Sequence, residues 1–326
     1  MSRILCRRRP PAIAAVLVCV VAAAMLAWGC GSDDRGDTTA QAQPAAPVPG
    51  AAAAAPALAP RASANRFDGT RAFALLREQV QTYGWRPAGS PALRRLAVRL
   101  RALMPRGRFE AIPGHNGLRN VVGTVPGRRP AIVVAAHYDV EAAPEGFVGA
   151  NDGAAGTAAV VTLARAFAKL KRPRGARELR FVLFDGEEEP AGCVPFEACG
   201  IRGSRAYAKR HESEIRSLVL LDYIAEARGL RFPREGGSDA ALWARLRSAA
   251  DDVGVGSIFP ADAPTVQIID DHYPFTQRGI PAIDIIDFDY PQRDSLQDDL
   301  DAVSQRSLDA VGEAVHLLVA RLRRSG

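Results

Sequence analysis

Two hydrophobic periodicities alternate along this chain from about residue 67 onward. Asp68 stands where a helix N-cap is expected and predicts a helix through about Gln81. Pro91 opens a second helix, with Leu93, Leu96, Leu100 and Leu103 along one face. The period then shortens. Asn120–Gly123 and Ala131–Ala136 are short, β-branched, strand-like runs. Gly153–Leu170 reads as helix, Leu179–Phe184 as strand, Gly203–Arg210 as helix and Leu218–Leu221 as strand. Asp239–Val253 is again helical, Ala282–Ile286 is a late strand, and Arg306–Leu322 is a closing helix. Strands that are apolar throughout, rather than at every second position, are buried on both faces. Their alternation with helices predicts an α/β domain with a mostly parallel sheet covered on both sides. In that architecture ligands bind beyond the carboxyl ends of the strands.

The pattern differs before residue 67. Arg7, Arg8 and Arg9 precede an uncharged apolar run from Ala12 to Trp28. As a helix this run would be about 25 Å long, short of the roughly 30 Å of a hydrocarbon core, so an export signal fits better than a permanent span. The run ends in Leu26-Ala27-Trp28-Gly29-Cys30, similar to a bacterial lipobox with Cys30 as the lipidated residue, although Leu26 is one place early and Trp28 is bulky. An uncleaved anchor, or cleavage near Ala40-Gln41-Ala42, is the alternative. Residues 31–65 are rich in Ala and Pro (Pro44, Pro47, Pro49, Pro56 and Pro60) and read as a flexible tether, with folding starting near Phe67. The expected location is therefore the cell envelope, on the outer face of the membrane, held there by a lipid.

Composition adds two constraints. Of a formal charge of +6, Arg3, Arg7, Arg8 and Arg9 supply four, and the remaining +2 argues against a nucleic-acid partner. Of the 5 cysteines, Cys6 and Cys19 lie in the signal and Cys30 is the lipidation candidate. Cys193 and Cys199, close together in an exported chain, read as a local disulfide, since no second Cys pair or nearby His completes a soft metal site.

The candidate chemistry gathers at strand ends. His137-Tyr138-Asp139 follows one strand and Asn151-Asp152-Gly153 opens a helix. Asp185-Gly186-Glu187-Glu188 follows another strand, and Asp222 ends a third. Asp270-Asp271-His272 precedes a short helix, and Asp287-Phe288-Asp289-Tyr290-Pro291 follows the late strand. Taken singly these are ordinary caps and surface acids; as a set they are metal-ligand types aimed at one edge of a sheet. His115, His211 and His316 lie outside the set and read as surface or structural residues, while His272 either orients Asp270 or starts the short helix.

From about Phe67 to Leu322 these motifs, with Gly203-Ser204-Arg205, Tyr273-Pro274-Phe275 and Gly279–Ile283, resemble the M28 metallopeptidase superfamily, and within it the glutaminyl-peptide cyclotransferase branch and its bacterial relatives. The resemblance implies a zinc aminopeptidase or glutaminyl cyclase-like fold. It implies Asp152 as the central metal ligand, Glu188 as a ligand of the catalytic zinc and Glu187 as the acid/base. His137 and Asp222 would hold a second metal in a peptidase; in a one-zinc cyclase, Asp222 and Asp270 would instead belong to a proton network. The family's last ligand is a His in a Trp-His-Thr string, and here Arg293-Asp294-Ser295 stands in its place. Asp294 is then the ligand candidate, through oxygen, and a harder ion such as manganese or calcium becomes an alternative to zinc. Asp284 stands where animal cyclases carry a His. The implied activity is conversion of N-terminal Gln of peptides or proteins to pyroglutamate, with an M28 aminopeptidase, or a non-catalytic peptide-binding lipoprotein with a degraded metal site, as alternatives.

Overall fold

The computed structural model describes residues 56–262 and 264–324. The signal run, Cys30 and the first part of the expected tether lie outside the described residues. Helix α1 (Gly69–Glu78) starts where Asp68 accepts the Arg71 N–H, and it continues into a wider turn, Gln79–Tyr83. Helix α2 (Pro91–Leu103) is capped by Ser90, with Pro91 in its first turn, and buries Leu93, Leu96, Ala97 and Leu100. Three strands follow: β1 (Arg108–Ala111), β2 (Arg119–Val125) and β3 (Arg128–His137). Then come α3 (Gly156–Lys169), β4 (Arg177–Phe184), the single turn α4 (Phe196–Cys199) and α5 (Arg202–His211). Strand β5 (Ile215–Asp222), α6 (Ala240–Asp252), the short α7 (Tyr273–Thr276), β6 (Ala282–Ile286) and α8 (Gln305–Arg324) complete the order.

The six strands form one sheet in the order β1-β2-β4-β3-β5-β6. The β3–β4, β3–β5 and β5–β6 pairs are parallel, and β1 and β2 add an antiparallel edge. Register sets His137 opposite Phe184 and Asp222 opposite Ile286, so four strands end along one rim. The chain leaves β3 for β4 on one side and later returns to β5 on the other. The winding reverses at β3, and a crevice opens at the carboxyl end of such a strand.

Both sheet faces are dry, which is why the strands are apolar at every position. Ile132, Val134 and Ala136 of β3 join the larger core, with α1, α2, α3, α6 and α8. Val133 and Ala135 join the smaller one, with Tyr207, Ala208 and Phe275 of α5 and α7. Full burial of each Ile or Val side chain among them contributes roughly 1.5–3 kcal/mol.

Two local differences from the sequence reading have physical causes. The helix expected from Gly153 starts at Gly156, because the preceding turn, Ala150–Ala155, is broken at Asp152 (φ −78°, ψ 109°) and Gly153 (φ 75°). A Cβ on Gly153 would lie 2.6 Å from the Asp139 carbonyl oxygen, so only glycine fits there. The tether boundary also moves. The packed chain reaches back beyond Phe67: Ala59 is buried in the larger core, the Ala57 carbonyl accepts Gly229 N–H, and Ser63 N–H donates to Val253. Among the described residues no helix is long and apolar enough to cross a membrane.

Candidate metal centre and active site

The rim of β3, β4 and β5 carries the site, and each acidic loop is held by backbone bonds. Beyond β3, the Asp139 carboxylate accepts the N–H groups of both Glu187 and Glu188 at 3.3 Å, so one loop shapes the next. The Asp152 turn is clamped from the far end of the chain. Asp298 accepts Asn151 N–H at 2.8 Å, Asp152 N–H at 3.0 Å and the Tyr290 hydroxyl at 2.9 Å. Asn151 in turn accepts Ala225 N–H at 2.7 Å, which ties that turn to the segment after β5. Asp185, in the same string as Glu187, faces away. It accepts Arg119 N–H and the Tyr138 hydroxyl, so its role is to anchor the loop.

His137 stands at the centre. Its Nε2 lies 3.1 Å from Asp152 Oδ1 and 3.3 Å from Asp222 Oδ1. Its Nδ1 lies 3.9 Å from both Asp139 Oδ1 and Glu187 Oε2, and no hydrogen bond satisfies it. Two overlapping ligand groups result, His137-Asp152-Asp222 and His137-Glu187-Glu188, with facing atoms within 4.8 Å of one another. All five side chains are buried and border a cavity of about 230 Å³. Glu187 and Glu188 both group with His137, so distance alone assigns neither as the acid/base.

The electrostatics explain what such a site demands. Burial, with neighbouring acids, pushes the Glu187 and Glu188 carboxyls well above their ordinary range. Asp222 is raised to about 7, by burial first, against the pull of His137. Burial works against a charged His137, but its hydrogen bonds to Asp152 and Asp222 outweigh it and raise the imidazole. The fully buried Arg86 is lowered to about 10 by burial, with Asp152, Asp298 and Asp139 holding it up. One imidazole, the buried Arg86 and the partly buried Arg202 face Asp139, Asp152, Glu187, Glu188, Asp222 and Asp298, all six acids buried. Buried carboxylates in that excess require protons or a cation. The donor set of one imidazole and several carboxylates fits a divalent ion, and the unpartnered Nδ1 leaves imidazole capacity free. Two zinc ligands at 2.0–2.1 Å in tetrahedral geometry stand about 3.3–3.4 Å apart, close to the two His137 Nε2 separations.

The remaining candidates lie around this centre. Asp294 is half-exposed and joins neither ligand group. It has φ 56°, and its Oδ1 is 3.4 Å from the Tyr223 hydroxyl, which also donates to Asp152 at 2.9 Å. Arg293 lies 3.6 Å from the Asp294 carboxylate and stacks over Phe288 at 4.0 Å. Asp270 also borders the cavity, with Ile268 and Ile269. Cys193 and Cys199 are joined as a disulfide, and Phe196, between them, lines the cavity.

Tyr223, Arg86, Asp139 and Asp298 were not given site roles by sequence reasoning. Tyr223 could have been found by its place directly after a strand-end Asp; Arg86 had no local signal. His211, which reads as surface, is pinned between Glu110 (2.9 Å) and Glu214 (3.1 Å), whereas His115 is exposed. His316 is buried and stacks on Phe167 at 4.6 Å.

Comparison with known proteins adds to this geometry. A family model described as "Peptidase family M28" matches residues 120–319. The glutaminyl-peptide cyclotransferase of Bothrops jararaca is 26% identical over 63% of this chain and 66% of its own. The chain thus spans about two thirds of the length of such curated relatives. The solved glutaminyl cyclase of an Acidobacteriales bacterium superposes with a TM-score of 0.69 at 25% identity, covering 81% of this chain and 97% of that one. A leucine aminopeptidase precursor from Bacteroides thetaiotaomicron shares the fold, with a TM-score of 0.67 at 24% identity over 79% of this chain and 98% of its own.

Proposed function

The chain belongs to peptidase family M28, and on that premise we propose that it is a metal-dependent enzyme of peptide amino termini, converting N-terminal glutamine to pyroglutamate with release of ammonia. The observation that carries this reading is the meeting of the β3, β4 and β5 acids on His137 inside one small cavity. A space of about 230 Å³ suits one terminal residue better than a long peptide. The cyclotransferase and cyclase names of the similar proteins support the chemistry.

In this reading Asp152, Glu188 and His137 hold zinc, and Asp294 reaches it only if its loop turns inward. Zinc, when bound, polarises an amide carbonyl and stabilises the negative charge that develops on its oxygen. Glu187 takes a proton from the substrate's α-amine as the new C–N bond forms to the carbonyl carbon of the side-chain γ-amide. It returns that proton to the nitrogen that leaves as ammonia when the old C–N bond breaks. Asp222 and Asp270 keep the amine oriented toward that carbon. Tyr223 fixes the second oxygen of Asp152 through its hydroxyl.

One observation favours an aminopeptidase as the second reading: His137, Asp152 and Asp222 form a ligand group of their own, as a second ion would require. Glu187 would then take a proton from an attacking water. Incubating zinc-loaded protein with a glutaminyl peptide separates the readings. Ammonia without free amino acid supports the cyclase. Free glutamine without ammonia supports the peptidase. Neither product from protein with bound zinc leaves a peptide-binding lipoprotein and defeats both enzyme readings. We further propose export and lipid anchoring through Cys30 at the cell envelope, with peptide or protein N-termini as partners. Retention of lipid label by the wild type and its loss in Cys30→Ala is the expected result; equal labelling would reject it.

A further inference from the structure

We propose a second, wholly buried divalent-cation site, formed by Asp270, His272 and Asp284 beside the catalytic cavity. Asp284 sits on β6 opposite Leu220, on the sheet face that carries α5 and α7, and His272 is the residue from which α7 starts. Their facing ligand atoms, with one from Asp270, lie within 4.8 Å of one another. Asp270 is 4% exposed, and His272 and Asp284 are 0% exposed.

What distinguishes this group from an ordinary acidic cluster is the imidazole. His272 is completely buried; its Nδ1 completes no hydrogen bond, and its Nε2 is turned to Glu235. Nδ1 points at Asp284 Oδ2 from 3.5 Å, too far for a good hydrogen bond but close to the roughly 3.3–3.4 Å between two ligands of one tetrahedral zinc. Nε2 faces Glu235 Oε2 at 3.2 Å. Glu235 is itself fixed by the N–H groups of Gly237 (2.7 Å) and Ile268 (2.8 Å) and by the Ser238 hydroxyl (3.1 Å). A carboxylate anchored in this way behind one nitrogen, with the other nitrogen free toward acids, is the outer arrangement that metal-bound histidines use.

The acids agree. No donor reaches either oxygen of Asp284 or the Oδ2 of Asp270, and the two carboxyls face each other, acceptor to acceptor. The ion pairs that Glu235 and Asp284 make among the described residues are both to His272. Burial and the neighbouring acids push Asp284 far above the usual carboxylate range, which a cation would relieve. One imidazole and two carboxylates suit zinc or manganese. An ion here would also fix Asp270, which forms the wall shared with the catalytic cavity.

The test uses the full folded chain, stripped of metal and reloaded with zinc. Bound zinc per chain should fall by one equivalent in Asp284→Asn relative to wild type, and Glu188→Gln should keep that equivalent. Zinc-soaked wild-type crystals should show an anomalous peak among Asp270, His272 and Asp284. Equal zinc content in wild type and Asp284→Asn, or no such peak, overturns the proposal and leaves a proton shared between Asp270 and Asp284. Should Asp284→Asn fail to fold, the wild-type crystal decides by itself.

Discussion

Replacing Asp298 by Asn is the most informative single perturbation outside the ligand set. The Asp298 carboxylate accepts three donors: Asn151 N–H and the Tyr290 hydroxyl on Oδ1, and Asp152 N–H on Oδ2. An Asn offers one oxygen. In its better orientation that oxygen keeps the first two bonds, and its NH₂ then confronts the buried Asp152 N–H. Losing a hydrogen bond to a charged acceptor and stranding its donor costs about 1.5–3 kcal/mol. The Asp298 carboxyl is itself raised to about 7, by burial first and then by Asp152, so the full effect is expected above pH 7, where it is ionised. There the two retained bonds lose their charge assistance and weaken as well, and the expected loss is about 3 kcal/mol. Relief of repulsion from Asp152 acts in the other direction, but Arg86, buried nearby, already offsets that charge. Urea unfolding should show a lower midpoint with unchanged slope. Because the bond that breaks holds the Asp152 turn, zinc affinity should fall about 10–100-fold. Tyr290→Phe, which removes only one donor, should lose about 1 kcal/mol. A loss below about 1 kcal/mol in Asp298→Asn, with unaltered zinc affinity, would refute the clamp.

Other expectations follow from single contacts. Tyr223→Phe frees Asp152 Oδ2 from its 2.9 Å bond and should weaken zinc binding by about tenfold with little change in unfolding midpoint; unaltered affinity in a zinc titration would count against the role given to Tyr223. Gly153→Ala meets both a positive φ and a backbone oxygen at 2.6 Å, so it should destabilise by about 2–4 kcal/mol in urea; a near-neutral result would mean the turn is drawn wrongly. His316 is lowered to about 4 by burial, with Arg66 adding to it. The unfolded chain then binds a proton more readily than the fold does, so stability falls as pH drops from about 6.5 toward 4. This amounts to about 2 kcal/mol between pH 7 and 4.5. His316→Phe, which keeps the stack on Phe167, should flatten that acid-side slope; an identical slope in both proteins would reject the buried neutral imidazole.

Elements buried on both faces were readable because their apolarity is continuous: the runs within β3, β4, β5 and β6 need no tertiary information. Strand β1 was not, since Arg108–Ala111 is a polar, partly exposed edge without alternation. The segment before Phe67 looked unfoldable by composition, yet Ala59 finds a place in the core that only the folded body creates. Within the site, strand-end position exposed His137, Glu187, Glu188 and Asp222, and the helix-opening Asn151-Asp152-Gly153 string exposed Asp152. What escaped were the residues that hold these in place from a distance. Arg86 reaches the carbonyl of Gly149, and Asp298 reaches the Asp152 turn from the last loop. Long-range partners leave no local pattern. Asp294 shows the opposite limit: its position along the chain marks it as a ligand, but a left-handed backbone leaves its carboxylate half-exposed and tied to Arg293 and Tyr223.

The central claim is that Glu188 binds a catalytic metal while the adjacent Glu187 moves protons beside it. The most direct measurement is zinc content and ammonia release in wild type, Glu187→Gln and Glu188→Gln, purified side by side. Glu187→Gln should keep the catalytic equivalent of zinc and release no ammonia from a glutaminyl peptide, whereas Glu188→Gln should lose both. Loss of that zinc in Glu187→Gln, or full zinc and full turnover in Glu188→Gln, would contradict it.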